Sequence, residues 1–81
     1  MMILNGKNMT TRKDAHDEIA RVLELPDYYG RNLDALWDLL GEKQWQITLT
    51  NVSEMIEGLG VYGEKLVQTF REAETVELTE E

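Results

Sequence analysis

The sequence has no cysteine, a single histidine, a single proline and half as many basic as acidic residues in 81 positions, and each shortage excludes a class of explanation. Without cysteine there is no disulfide, no thiolate metal site and no Cys nucleophile. Nothing then ties the fold to an oxidising compartment, and a cytoplasmic location is the expectation. Long apolar runs are missing as well. The stretch Met1 to Leu4 is too short for the core of a signal peptide, and no segment approaches the ~20 apolar residues of a membrane span, so no membrane role is expected. Eight basic residues against sixteen acidic ones leave a net charge of -8, which repels phosphate backbones and anionic lipid and attracts basic proteins. Direct contact with nucleic acid is not expected, although acidity on this scale also serves plain solubility.

What is present is a globular composition, 42% hydrophobic and 30% charged, spread over a length suited to one small domain, residues 1–81. Met2 to Leu4 reads as a short strand and Asn5-Gly6 as a turn. Thr11 with Asp14 resembles a capping box opening a helix, in which Ala15, Ile19, Val22 and Leu23 form one apolar face until Pro26 stops it. A second helix runs from about Asn32 to Leu40 and is closed by Gly41. Gln46 to Thr50 alternates as a strand that buries Ile47 and Leu49, with Trp45 packing just before it. Ser53 can cap a short helix carrying Met55, Ile56 and Leu59, broken by Gly58 and Gly60. A fourth helix, Val61 to Ala73, turns Leu66, Val67 and Phe70 inward, and a last strand alternates through Val76 and Leu78. Strand, two helices, strand, two helices, strand requires crossovers and hence a parallel sheet. Because both later strands alternate with polar residues, one sheet face meets water. The expected architecture is an α/β two-layer fold with a three-stranded parallel sheet in order 1-2-3 and every helix on one face.

The densest stretch is Leu25 to Leu40, LPDYYGRNLDALWDLL. Gly30 can release the backbone from the preceding turn, Asn32 can cap the helix, and Leu33, Leu36, Trp37 and Leu40 recur at i, i+3, i+4 and i+7. At ~100° per residue Asp34 and Asp38 lie within ~40° of each other, away from that stripe. Like charges at this spacing cost a few tenths of a kcal/mol, which points to a cationic partner outside the protein.

Pro26, Tyr28, Tyr29, Gly30, Asn32, Leu33, Asp34, Ala35, Leu36, Trp37 and Asp38, in one register, resemble the barstar family of intracellular inhibitors of barnase-type ribonucleases. The segment Phe70-Arg71-Glu72-Ala73 resembles the same family near its C-terminus, and the element order agrees over essentially the whole chain. The resemblance implies a protein that binds a basic ribonuclease, one to one, and plugs its active-site cleft. In that picture Asp38 is the central anchor that stands in for the scissile phosphate, and Tyr28 covers the catalytic histidine. Asp34 and Glu72 pair with a basic rim residue, Gly30, Asn32 and Ala35 give close backbone contact, and Trp37 packs at the edge. Tyr29 belongs to the same surface. The chain departs from the family pattern at Arg31, where an acid is usual, and at Gly41 and Lys43, where polar and aromatic rim residues are usual. The loop at Gly58 to Gly63 is shorter, and the turn before the last strand is nearly absent.

The residues also admit plainer readings. Asp34 and Asp38 are an ordinary solvated pair if taken without the Tyr28-Tyr29-Gly30 turn, and two helix carboxylates with no third ligand make a poor divalent-metal cage. One of the adjacent tyrosines covers the core, since the two cannot both face a partner. Trp37, at the margin of the stripe, reads as core more than contact, and His16 as a surface histidine with no catalytic role. Glu72 could pair with a neighbouring base, and Glu77, Glu80 and Glu81 form a solvated edge. No nucleophile has a base beside it, and nothing would split the acidities of Asp34 and Asp38, so neither enzymatic activity nor a cofactor is expected. A barstar-like adaptor that docks a different basic protein without inhibiting a nuclease is the alternative function, favoured by Arg31 and Gly41.

Overall fold

The computed structural model describes residues 2–81. Strand β1 (Met2–Asn5) leads through a 3-10 turn at Gly6–Asn8 into helices α1 (Arg12–Val22) and α2 (Leu33–Leu40). Strand β2 (Trp45–Thr50), helices α3 (Val52–Leu59) and α4 (Val61–Glu72) and strand β3 (Val76–Glu80) complete the chain. All pairing is parallel and the strand order is β1-β2-β3, as expected from the two double-helix crossovers.

Register explains which sheet face is covered. Ile47 lies between Met2 and Leu78, and Leu49 faces Leu4; these side chains pack under the helices with Ile19, Leu36, Leu40, Met55, Leu66 and Phe70. On the opposite face Ile3, Thr48 and Thr79 share a row. There Ile3 is 55% exposed, and Thr48 is shielded only by its place in the central strand.

Local chemistry sets the boundaries. Thr11 accepts a hydrogen bond from the Asp14 N–H and starts α1. Its end is made by Glu24 rather than by Pro26: Glu24 takes a left-handed φ of 53°, and the Leu25 N–H returns to the Ala20 carbonyl in a Schellman closure. Helix α3 starts two residues earlier than a Ser53 cap allows, with Asn51 as its N-cap, itself left-handed and without a side-chain cap. Gly58 does not break this helix. It lies within it, and a Cβ there would stand 2.7 Å from the Thr10 carbonyl oxygen, so glycine permits the close approach of the two segments. Gly60, at φ 62°, is where the chain turns between α3 and α4. Gly41 closes α2 with an ordinary right-handed φ of -72°. The turn before β3 is as short as the sequence suggests: the Val76 N–H reaches the Ala73 carbonyl at 3.0 Å. Glu80 is not merely a solvated edge residue, because Arg71 grips it with two hydrogen bonds of 2.7 Å.

Candidate functional site

Asn32 positions the site. Its Oδ1 accepts from the Ala35 N–H at 2.8 Å, fixing the first turn of α2, while its amide nitrogen donates to the Gly30 carbonyl. From that start the helix divides by angle. Leu36, Leu39 and Leu40 are buried and Leu33 and Ala35 half-buried, whereas Asp34, Trp37 and Asp38 are exposed. At ~100° per residue the three exposed positions fall within a single arc of ~100°. Leu39, not Trp37, completes the apolar face. Trp37 is 48% exposed, so the reading of it as core is corrected: it stands beside the two aspartates.

The paired tyrosines separate as expected, Tyr28 at 78% exposure and Tyr29 at 4%. Tyr29 therefore reaches no partner with its side chain and lies beneath the surface formed by its neighbours. It is held there by His16, which is also the largest departure from expectation: the histidine is 1% exposed, not a surface residue. Its Nδ1 lies 2.5 Å from the Tyr29 hydroxyl and its Nε2 2.6 Å from the Tyr62 hydroxyl, joining α1, the loop and α4. Burial, aided by the nearby Arg31 charge, pushes the imidazole below its usual range, and burial raises both phenols. In the neutral state one ring nitrogen donates to a phenol and the other accepts. A signal for this was present in the sequence: His16, Ile19, Ala20 and Leu23 repeat at i, i+3, i+4 and i+7, a second register on the same helix.

Gly30 serves close packing rather than conformational freedom. A Cβ there would lie 3.2 Å from the Asn32 amide nitrogen and 3.3 Å from the Ala35 Cβ, and its φ is not positive. The left-handed residue is Arg31, at φ 52°, a conformation that costs a non-glycine about 1 kcal/mol. Its Nε donates to Asp17 at 3.0 Å, and Lys13 holds the same carboxylate at 2.8 Å. Hydrogen bonds from Lys13 and then Arg31 keep Asp17 below the usual carboxylate range.

Glu72, the last residue of α4, comes to the same side of the molecule. It lines a shallow groove with Trp37, Gly41 and Thr75, and among the described residues it makes no ion pair. The same holds for Asp34 and Asp38. Three carboxylates are thus presented on packed helices with no ion pair among the described residues, near a half-exposed indole. Among the described residues no cluster of His, Asp or Glu is arranged to hold a metal ion, and no helix is long and apolar enough to cross a membrane. Such a surface can bind a cationic cleft.

Comparison with known proteins shows the family. A family model described as "Barstar (barnase inhibitor)" matches residues 1–81. The chain is 35% identical over 76 residues to YrdF of Bacillus subtilis (strain 168), which carries the provisional name of a ribonuclease inhibitor; the match covers 90% of this chain and 84% of that protein. With its parallel 1-2-3 sheet, its helices on one face and a match along its full length, the chain belongs to the barstar family.

Proposed function

We propose that this protein inhibits a basic, barnase-like ribonuclease by inserting the exposed face of α2 into the enzyme's active-site cleft in a one-to-one complex. The observation that carries the reading is the single exposed arc of Asp34, Trp37 and Asp38, with neither carboxylate neutralised from within. Asp38 takes the place of a substrate phosphate among the enzyme's cations, and Tyr28 covers the catalytic histidine. Asp34 and Glu72 meet a basic residue at the rim, with Trp37 packed beside it. Gly30, Asn32 and Ala35 allow the backbone to come close, and Tyr29 supports the turn from below. The inhibitor needs no chemistry of its own, because occlusion suffices.

The test is capture from native cell lysate and medium with the wild-type protein and Asp38→Ala in parallel, followed by a ribonuclease assay on what is bound. Recovery of a basic ribonuclease by wild type alone, silenced by stoichiometric inhibitor, is the expected result. Capture of a non-nuclease, or equal capture by both proteins, would overturn it in favour of the adaptor function.

A further inference from the structure

Next to the acidic arc the structure forms a cleft of opposite character. Arg12 and Lys13 from the start of α1 and Arg31 from the loop before α2 line it together with Tyr62, and Asp34 is the one carboxylate in its wall. In a chain of net charge -8 with only eight basic residues, three of them converge here. Their charges are only partly neutralised internally. Lys13 and Arg31 share the single carboxylate of Asp17, which lies outside the cleft wall. The Arg12 guanidinium lies 4.2 Å from the centre of the Tyr62 ring and makes no ion pair among the described residues. That stacking uses the face of the guanidinium and not its N–H donors. Lys13 is 82% exposed and Arg31 47%, so both can be reached.

We propose that this cleft receives an acidic side chain of the ribonuclease, so that the interface is bipolar: cations of the enzyme against Asp34 and Asp38, and an enzyme carboxylate against Arg12, Lys13 and Arg31. The occupant is a single protein carboxylate rather than a nucleic acid backbone, because the net charge of -8 repels an extended polyanion. Arg31 and Arg12 then act as specificity residues: a ribonuclease with a neutral or basic residue at this edge leaves the cations desolvated and unpaired, and is rejected.

The inference rests on the proposed ribonuclease binding, and the sign of one effect separates it from simple attraction to a basic enzyme. Arg31→Glu makes the protein two charges more negative, and long-range attraction alone would tighten binding to a basic ribonuclease. A local carboxylate contact weakens it instead, by roughly tenfold. Affinity for the captured ribonuclease is measured for wild type, Asp38→Ala, Arg31→Glu, Arg12→Gln and Arg31→Gly. The last variant removes the charge at a backbone conformation that glycine adopts freely, so it tests the cation without threatening the fold. Weaker binding by all three arginine variants, with a carbodiimide cross-link between Lys13 and an Asp or Glu of the enzyme, is expected. If Asp38→Ala abolishes binding while the arginine variants bind as tightly as wild type or more so, the bipolar interface is overturned and ribonuclease binding stands. If no ribonuclease binds wild type, both fall.

Discussion

The Nδ1 of His16 and the hydroxyl of Tyr29 lie 2.5 Å apart in the core, so the only histidine of the chain anchors the turn whose next-door residue, Tyr28, is 78% exposed. A buried imidazole makes this anchor sensitive to acid. Burial lowers the folded-state pKa below the value of about 6.5 expected in the unfolded chain. As pH falls through that value the unfolded state takes up the proton first, so stability declines with acid and is recovered as pH rises. The carboxylates held low by their partners, Asp17, Glu18 and Glu80, add their own loss only further down, as pH falls below the ordinary range for such groups. Urea unfolding at about pH 7.5 and about pH 5.5 is expected to show a drop in midpoint for wild type and a smaller one for His16→Asn. Equal drops would show that His16 is not the group responsible.

Most of this architecture is legible in the residues because the periods agree: two helical stretches after each of the first two strands, alternation in the strands, and caps at Thr11 and Asn32 that the fold keeps. The errors share a physical origin. Spacing alone gives an apolar arc but not its centre, and at α2 both Trp37 and Leu39 fit the margin; the packed helix chose Leu39 and left the indole outside. His16 was misplaced because a polar residue is buried only when its partners are in reach, and Tyr62 lies 46 positions away. Left-handed φ at Glu24 and Arg31 is invisible in residue type, whereas Asn51 is of the type that adopts it most readily after glycine. The cationic cleft was hidden for the same reason as the histidine: Arg12 and Arg31 meet only in the fold.

Truncating Asp38 should weaken ribonuclease binding far more than truncating Glu42, which lies beyond the end of α2. A charge removed from the centre of a desolvated contact leaves the opposing cations buried and unpaired, a cost of about 2–5 kcal/mol or more, for which the barnase–barstar complex is itself a reference case. An exposed acid at the margin contributes about 0–1 kcal/mol. Inhibition constants for Asp38→Ala and Glu42→Ala are therefore expected to differ by at least tenfold, and equal losses would remove Asp38 from the centre of the surface.

Two glycines should separate close approach from backbone freedom. At Gly6, just after β1, an added Cβ would meet the Thr50 carbonyl oxygen at 2.7 Å, and the Asn51 carbonyl oxygen still closer; neither is a flexible side chain. Gly6→Ala is expected to destabilise the fold by about 1–3 kcal/mol or more, because the ends of β1 and β2 must move apart. Gly60 has no atom within 4 Å of such a Cβ but a φ of 62°, so Gly60→Ala carries only the conformational cost of about 1 kcal/mol. Thermal unfolding checks the order, at roughly 4–8 °C in Tm per kcal/mol for a domain of this size. A larger loss at Gly60 would contradict the packing at the strand ends.

Association should be steered by charge while residence time is set by contact. At about 0.01 M salt the screening length of ~30 Å matches the longest dimension of the molecule, 30 Å, whereas at physiological salt it shrinks to ~8 Å. A basic ribonuclease approaching a protein of net charge -8 therefore feels the whole of it in dilute salt and only the nearest face in concentrated salt. Stopped-flow measurements are expected to show an on-rate that falls more than about tenfold across this range, with a much smaller change in the off-rate. Asp38→Ala should reverse the emphasis: it removes one charge from the long-range field but the central contact from the complex, so its effect belongs mainly to the off-rate. An on-rate indifferent to salt would mean that the acidity of this chain serves solubility rather than recognition, and that the arc on α2 works through shape alone.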